Sequence, residues 1–207
     1  KKIILKEKPD VVFHLAAFPR VEPSIQDPIK ANAINVNGTL NLIDLAIKQA
    51  TMSKNPVKFF FPSSIAVYGL DEKNYQASVK EDEFLLPKTI YGMNKLYAEQ
   101  LGVYFANNYH QISKDFSPGL LDFRAIRFPG LISVSTVPSG GTSDYAPEMI
   151  HSAFKHKNYT SFVDRKSCLP FIVMPDAIQA IFKIMTAKKS TLKKCIYNIT
   201  SFSPTVD

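Results

Sequence analysis

Residues 57–64 have the sequence VKFFFPSS, an apolar run of strand length that ends in a proline and two hydroxyl residues. Runs of this length and composition are typical of strands that are buried on both faces of a sheet. We therefore predict a strand over Val57–Phe61 that is closed by Pro62, Ser63 and Ser64.

Segments with helical and extended patterns alternate on either side of this strand. The apolar positions of residues 28–50 and 90–110 recur at helical spacing, and Gly38 interrupts the first of these helices. Residues 11–15 and 121–128 have the composition of further strands. This order predicts an α/β fold with a doubly wound parallel sheet that is covered by helices on both faces.

The pattern changes after residue 130. The predicted elements of this second part are a loop over residues 138–144, a short helix ending near His156, strands near 159–163 and 169–174, a helix over 176–187 and a strand over 195–199. We predict a sheet domain over residues 1–130 and a smaller α/β substrate lobe over 131–207. Residues 170–199 are expected to interleave between the lobe and the sheet.

Composition narrows the range of partners. The chain has 207 residues and a formal net charge of +7, but its lysines are scattered, so no nucleic-acid partner is predicted. No apolar stretch approaches the roughly 18 residues of a membrane span, so no membrane contact is predicted either. Cys168 and Cys195 stand alone without ligand spacing, and we expect neither a metal site nor a disulfide.

Tyr91 and Lys95 lie four residues apart on the second predicted helix, so their side chains share one face. A free tyrosine has a pKa of about 10 and is a poor base at neutral pH, but a neighbouring ammonium favours its phenolate. Such a tyrosine can take a proton from a substrate hydroxyl. Ser63 or Ser64 could hold the substrate oxygen. By itself, the spacing also fits an ordinary pair on a helix surface.

Four segments resemble the active-site segments of the extended short-chain dehydrogenases, the family of NAD-dependent epimerases and dehydratases. These segments are Phe13–Ala17, Asn35–Thr39, Phe61–Gly69 and Tyr91–Lys95. The resemblance implies a Rossmann-like sheet, with residues 1–130 as part of a dinucleotide-binding domain. It also implies NAD as the cofactor, with NADP not excluded, and a small-molecule substrate.

The same resemblance implies roles for single residues. In the family, the hydroxyl residue directly before the Ile-Ala-Val-Tyr-Gly stretch is catalytic, which selects Ser64 over Ser63, and Tyr91 and Lys95 match the catalytic tyrosine and lysine. The residues implied to contact the cofactor are Leu15, Ala16, Ala17, Asn35, Pro62, Ser63, Tyr91, Lys95, Phe128, Pro129 and Gly130.

The second part resembles the short-chain type of threonine 3-dehydrogenase within that family. The segments that carry this likeness are Arg127–Ser133, Gly140–Ala146, Leu169–Ile178 and Tyr197–Thr200. They imply oxidation of L-threonine at the 3-hydroxyl, with Ser64, Tyr91 and Thr142 contacting the substrate. A homodimer formed through the two long helices is also implied. The expected compartment is the cytoplasm, with the mitochondrial matrix as the alternative.

Two departures from the family pattern leave alternatives open. No Gly-x-x-Gly-x-x-Gly turn is present for the pyrophosphate, and we expect a piece of a longer protein rather than a shortened relative that has lost tight cofactor binding. Residues 18–24 and Ser64 differ from the usual threonine dehydrogenase pattern. The alternatives are therefore a sugar-nucleotide epimerase or dehydratase, a sugar-acid dehydrogenase and a non-catalytic structural subunit.

Several polar residues have predicted structural roles. We expect His14 to be a core histidine rather than a ligand, and Asp144 and Asp176 to be helix N-caps. Residues 140–142 fit both a plain turn and a substrate loop.

Overall fold

The computed structural model describes residues 2–18, 21–70, 78–114, 118–138 and 141–206. Within these ranges the strands are β1 (Val11–Phe13), β2 (Val57–Ser64), β3 (Leu121–Phe128), β4 (Gly130–Ile132), β5 (Phe171–Val173) and β6 (Ile196–Asn198). The α-helices are α1 (Lys2–Glu7), α2 (Val21–Gln26), α3 (Pro28–Asn32), α4 (Gly38–Ser53), α5 (Ile90–Asn107), α6 (Tyr145–Phe154) and α7 (Met174–Thr186).

The main sheet has four parallel strands in the order β1-β2-β3-β6. Along the β2–β3 pair, Val57 lies opposite Leu121 and Ser64 lies opposite Phe128. The three phenylalanines of β2 are buried, as expected for an apolar run that is covered on both faces. The predicted parallel sheet is confirmed, and β2 continues through Ser64 instead of ending at Phe61.

Helices cover both faces of this sheet. One core cluster joins α4 and α5 to one face and includes Ile43, Phe59, Phe61, Ala98 and Phe123. A second cluster joins α7 to the other face and includes Phe60, Ile126, Ile184 and Met185. Since successive side chains of a strand point to opposite faces, the alternation along β2 supplies both clusters. The doubly wound architecture is therefore confirmed.

The helical stretch that begins with α3 contains one wide turn. Residues Ala33–Asn37 form a π-helix between α3 and α4, and the Thr39 hydroxyl donates to the Asn35 carbonyl oxygen at 2.6 Å. Gly38 has an ordinary helical φ of −60°. The predicted interruption at Gly38 is therefore wrong: the irregular turn comes before this residue, where the extra residue of a π-turn is accommodated.

The second part of the chain forms a two-stranded parallel sheet from β4 and β5. The backbone N–H of Gly130 donates to the carbonyl oxygen of Pro170 at 3.0 Å beside it. The predicted strand near 159–163 is wrong, because these residues are irregular in the structure. The Tyr159 hydroxyl instead donates to Glu148 on α6 at 2.7 Å, and Phe162 is exposed.

Of the two cap predictions, the one for Asp144 is confirmed in position, since Asp144 is the N-cap residue of α6, and the one for Asp176 is wrong, since Val173 is the N-cap residue of α7. The Asp144 carboxylate makes no cap hydrogen bond to the first turn of α6; it accepts from the backbone N–H of Gly141 at 2.7 Å and closes the turn before the helix. Asp176 lies within the first turn of α7, where it accepts from the Ser201 hydroxyl at 3.3 Å. A carboxylate in a first turn interacts favourably with the helix dipole without being the cap.

No helix within the described ranges is both long enough and apolar enough to cross a membrane.

Candidate active site

The carboxyl ends of β1, β2 and β3 lie along one edge of the main sheet because the three strands are parallel. Ser64 ends β2 directly beside Phe128, the last residue of β3. In β1, Phe13 lies opposite Phe60, so the residues after Phe13 continue toward the same edge. Ligands of open parallel sheets bind at this edge.

A tight turn joins β2 to the segment that precedes α5. The Ser64 hydroxyl accepts from the backbone N–H of Ala66 at 3.1 Å and caps a 3₁₀-helix over Ile65–Val67. The first turn of α5 packs directly on this 3₁₀-helix, since a Cβ at Gly92 would lie 2.1 Å from the Ala66 carbonyl oxygen. This close approach, which only glycine permits, brings the start of α5 to the end of β2.

Ser64 and Tyr91 meet across this contact. The Ser64 hydroxyl lies close enough to the Tyr91 phenol to act on it by hydrogen bonding. Burial raises the pKa of the Tyr91 phenol above its usual value, and the hydrogen bond from Ser64 opposes this effect by favouring the phenolate. The spacing of Tyr91 and Lys95 predicts that a nearby ammonium favours the Tyr91 phenolate; in the folded protein, burial is the larger effect and favours the phenol.

Lys95 lies one turn further along α5 and is buried. Its Nζ atom donates to the Pro62 carbonyl oxygen at 2.6 Å and lies 4.7 Å from the Phe61 ring centroid and 5.7 Å from the Tyr91 ring centroid. Burial lowers the pKa of Lys95 to about 8, while the charge of Glu99 opposes this lowering. The side chain is therefore an ammonium at neutral pH.

Asn35 holds the segment that follows β1. Its side chain accepts from the Phe18 backbone N–H at 2.7 Å and donates to the Phe18 carbonyl oxygen at 3.1 Å. Asn94 on α5 also accepts from the Asn35 amide at 3.4 Å, and its own amide donates to Asn32 at 3.2 Å. Sequence reasoning missed Asn94, although a polar residue directly before Lys95 on a buried helix face is a usable signal.

His14 is buried between β1 and α4, which confirms it as a core histidine. Its Nε2 lies 2.8 Å from the Thr39 hydroxyl oxygen. Because that hydroxyl donates to the Asn35 carbonyl, we assign the proton of the imidazole to Nε2, which then donates to Thr39. Burial and the nearby charge of Lys95 lower the pKa of His14 to about 4, so the ring is neutral.

The remaining predicted residues are spread more widely. Pro129 and Gly130 are buried at the junction between β3 and β4, where a Cβ on Gly130 would lie 2.4 Å from the Phe171 ring. Thr142 is exposed in the turn before α6. No hydrogen bond among the described residues joins Thr142 to Ser64, Tyr91 or Lys95.

Sequence reasoning also missed two buried charged residues, Glu99 and Arg127. The Arg127 Nε and Nη2 atoms donate to the two Glu99 carboxylate oxygens at 2.8 and 2.6 Å. A glutamate one turn after Lys95 on a buried face and an arginine inside an apolar strand are the signals that could have identified this pair.

The sheet edge fits a dinucleotide. The Ser63 hydroxyl is buried and has no hydrogen-bond partner within the described ranges, and in those ranges the three-donor ammonium of Lys95 bonds only to Pro62. Leu15 and Ala16, which follow β1, are exposed at the same edge. Ribose hydroxyls suit the polar groups, and flat rings suit the apolar surface. No cluster of three or more metal-ligating side chains exists among the described residues.

The model of the NAD-dependent epimerase/dehydratase family matches residues 1–200. The chain belongs to this family. The family resemblance found in the sequence is therefore confirmed, and the protein is a member of a family of NAD-dependent enzymes. An epimerase/dehydratase of Staphylococcus aureus, itself uncharacterised, is 33% identical over 195 residues, which are 94% of this chain and 55% of that relative.

Solved structures of L-threonine 3-dehydrogenases have the same fold. The enzyme from Trypanosoma brucei is 35% identical with a TM-score of 0.84, and the enzyme from Clostridium difficile is 34% identical with a TM-score of 0.83. Each comparison covers 99% of this chain and 58% of the solved chain. This member of the epimerase/dehydratase family thus spans little more than half the length of the proteins it matches.

Proposed function

We propose that the protein is an NAD-dependent dehydrogenase that oxidises L-threonine at its 3-hydroxyl to 2-amino-3-oxobutanoate. The observation that carries this proposal is the buried Lys95 one helical turn after Tyr91 on α5, with the Ser64 hydroxyl close enough to act on the Tyr91 phenol. Support for the substrate comes from the similarity to L-threonine 3-dehydrogenases, which extends over 99% of this chain.

In the proposed reaction, the Tyr91 phenolate takes the proton of the substrate 3-hydroxyl. The Ser64 hydroxyl donates a hydrogen bond to the same substrate oxygen and holds it against Tyr91 as the C–O bond becomes a carbonyl. Bound NAD supplies the acceptor for the hydride that leaves the 3-carbon. The substrate thus loses one hydride and one proton, and the proton remains on Tyr91 until solvent accepts it.

Lys95 makes this base usable. Because burial raises the pKa of Tyr91, a positive charge close to the phenolic oxygen is required to form the phenolate near neutral pH. The Lys95 ammonium is proposed to supply that charge and to donate to the ribose hydroxyls of the cofactor. Its bond to Pro62 restrains the position of the ammonium at the end of β2.

We propose that the cofactor lies across the carboxyl ends of the first three strands. The residues proposed to contact it are Leu15, Ala16, Ala17, Asn35, Pro62, Ser63, Tyr91, Lys95, Phe128, Pro129 and Gly130. Asn35 would act mainly through the segment after β1, since its amide is bonded to the Phe18 backbone. Thr142 is proposed to contact the substrate from the turn before α6.

The test is NADH formation by the protein at its natural length, followed by near-ultraviolet absorbance. We expect reduction of NAD with L-threonine and much slower reduction with L-allo-threonine, which differs only in configuration at the 3-carbon. NADP in place of NAD identifies the cofactor preference. Reduction of NAD by a sugar acid but not by L-threonine would contradict the proposed substrate and leave the proposed chemistry intact.

The second candidate is a sugar-nucleotide epimerase or dehydratase on the same scaffold. It is supported by the epimerase/dehydratase relative of S. aureus and by residues 18–24, which differ from the usual threonine dehydrogenase loop. Residues 19 and 20 of this loop lie outside the described ranges. Conversion of a sugar nucleotide without net NADH formation, detected by chromatography, would establish this alternative.

We also propose that two copies associate through α3 and α5. A cleft of about 540 Å³ lies between these helices, and Ile29, Met93 and Tyr97 are exposed around it. Contiguous exposed apolar side chains of this kind are typical of protein interfaces. A solved L-threonine 3-dehydrogenase that is 34% identical to this chain is monomeric, so the oligomeric state requires measurement.

Light scattering tests this association. Tyr97→Glu places a charge in the proposed interface and is expected to give monomers. Phe154→Glu is the control, because Phe154 is also aromatic and is more exposed than Tyr97 but lies on α6. A dimer that persists in the Tyr97 variant contradicts the proposed interface.

A further inference from the structure

Glu99 lies one helical turn after Lys95 and two turns after Tyr91 on α5, and none of its surface is exposed. Both of its carboxylate oxygens accept hydrogen bonds from Arg127, which is also fully buried on β3. This two-point geometry fixes the orientation of both side chains. It therefore fixes the position of α5 over the sheet at the turn next to Lys95.

Arg127 also holds the segment that follows Ser64, here called the serine turn (Ser63–Tyr68), in place. Its Nη1 atom donates to the Tyr68 hydroxyl and to the Glu81 carbonyl oxygen, each at 2.7 Å. The Tyr68 hydroxyl donates in turn to the Asn198 side chain at 2.7 Å. In the β2–β3 register, Arg127 lies opposite Ser63. One buried guanidinium thus joins α5, the segment after β2 and β6 directly behind the Ser63–Ser64 corner.

The charge of Glu99 also acts on Lys95. Burial lowers the pKa of Lys95 to about 8, and among the described residues Glu99 is the group whose charge opposes this effect. Three other polar groups that interact with Lys95 are the neutral His14, which directly follows β1, the Pro62 carbonyl of β2 and Tyr91 on α5. None of these three carries a negative charge while Tyr91 is a phenol.

From this geometry we infer that Glu99, held by Arg127, is a positioning residue that keeps Lys95 positively charged and keeps α5 aligned with the Ser64 turn. Its consequence for turnover rests on the proposed dehydrogenase function; its effect on Lys95 does not. Stability alone is a poor explanation for the pair, because well-packed apolar residues often replace a buried ion pair without loss of stability.

The test measures the titration of Lys95 directly, by NMR of the natural-length protein labelled with ¹³C at lysine Cε. The Lys95 signal is assigned as the one that is missing in Lys95→Arg. In Glu99→Gln, we expect the pKa of Lys95 to fall by about one unit, because the opposing charge is lost and Arg127 remains. The pH above which kcat/KM for L-threonine falls is expected to decrease by the same amount.

Asp122→Asn is the matched control. Asp122 also accepts two bonds from a buried arginine of β3, Arg124, at 3.1 and 2.6 Å, but this pair lies on the α7 face of the sheet. The control variant loses a comparable ion pair, so loss of stability alone affects both variants. Only the Glu99 variant is expected to move the Lys95 titration.

A second variant keeps the inference testable if Glu99→Gln does not fold. Replacing both Glu99 and Arg127 by leucine fills the site without leaving a buried charge. The pKa of Lys95 is expected to be lower than in the natural protein, and higher than in Glu99→Gln where that variant folds. An unchanged Lys95 titration in whichever of these variants folds overturns the inference.

The two proposals fail separately. If the natural protein does not oxidise L-threonine, the proposed function fails, but the NMR titration still decides whether Glu99 controls Lys95. If threonine is oxidised and the Glu99 variants titrate like the natural protein, only the positioning role is lost.

Discussion

The Lys95 ammonium donates a 2.6 Å hydrogen bond to the carbonyl oxygen of Pro62. Pro62 immediately precedes Ser63 and Ser64 in β2, so this bond ties α5 to the strand that ends in the proposed catalytic serine. Together with the contact between Gly92 and Ala66, it restrains α5 at two points, one on β2 and one on the 3₁₀-helix that follows it. The distance between Ser64 and Tyr91 is therefore determined by the packing of buried elements rather than by a mobile loop.

Two substitutions of Lys95 distinguish the effect of its charge on turnover from the effect of its size. Lys95→Met keeps the apolar stem and removes the ammonium, and we expect turnover to fall by about 10²-fold or more because the phenolate loses its counter-charge. In the natural protein, kcat/KM should fall as the pH rises through about 8, where Lys95 loses its proton. Lys95→Arg stays charged, so the kcat/KM that remains in this variant should not fall near pH 8. If kcat/KM of the arginine variant also falls near pH 8, the fall is not caused by deprotonation of Lys95.

Tyr91→Phe removes the proposed base and little else. We expect kcat to fall by about 10²-fold to 10⁴-fold, the usual contribution of a positioned general base, while NAD affinity remains close to that of the natural protein. NADH formation and calorimetric titration with NAD measure the two effects. Tyr104→Phe is the control, since it makes the same change at an exposed position of α5. Near-normal turnover in Tyr91→Phe contradicts the mechanism.

Gly92→Ala tests whether the contact between α5 and the serine turn matters for turnover. The added Cβ would lie 2.1 Å from the Ala66 carbonyl oxygen, so backbone must shift and Tyr91 must move relative to Ser64. Gly102→Ala is matched, because its Cβ would lie 2.2 Å from the Phe123 ring, away from the serine turn. Each change is expected to cost about 1–3 kcal/mol of stability in denaturant unfolding. Only Gly92→Ala should lower kcat at least about tenfold beyond the effect on folding; equal kcat in both variants argues against a role for this contact.

The sequence was sufficient to predict the parts of this fold that depend on periodicity. The apolar run at residues 57–61 and the helical spacing of residues 90–110 each follow from burial of a face, and both elements are present. Periodicity did not predict the π-helix over residues 33–37, because one extra residue in a turn leaves the apolar spacing almost unchanged. The strand expected near 159–163 failed because its hydrogen bonds depend on a neighbouring strand, and none is supplied there within the described ranges.

In the candidate site, too, local relations could be predicted from the sequence and contacts between distant segments could not. The relation of Tyr91 to Lys95 follows from a four-residue spacing on one helix. The contact between Tyr91 and Ser64 depends on the 3₁₀-helix and on Gly92, and the pairing of Glu99 with Arg127 depends on which strand lies beneath α5. Such contacts join residues that are far apart in the chain, so they become visible only once the helix is docked on the sheet.

Asn35→Ala tests the segment after β1. The change removes two hydrogen bonds to the Phe18 backbone, and the released segment should then hold the cofactor less firmly. We expect the Kd for NAD to rise about tenfold, in line with two ordinary hydrogen bonds, and kcat to change less. Asn37→Ala serves as the control, because Asn37 is an exposed asparagine of the same π-helix. A Kd for NAD that stays unchanged in Asn35→Ala removes Asn35 from the proposed cofactor site.

His14 should make the stability of the protein depend on pH. Its pKa is lowered from 6.5 to about 4 by burial and by the charge of Lys95. Between these two values the unfolded chain binds a proton that the folded protein does not, so stability rises with pH. The contribution is therefore fully present above about pH 6.5 and is lost as the pH falls to about 4, with a size of about 3 kcal/mol.

Urea unfolding at a series of pH values measures how the free energy of unfolding depends on pH. In His14→Gln the gain in stability between pH 4 and pH 6.5 should be smaller by about 3 kcal/mol, whereas His110→Asn, at an exposed position, should keep the gain of the natural protein. An equal slope in the natural protein and in His14→Gln means that the imidazole is protonated in the fold, and then Nδ1 must have a hydrogen-bond acceptor as its partner.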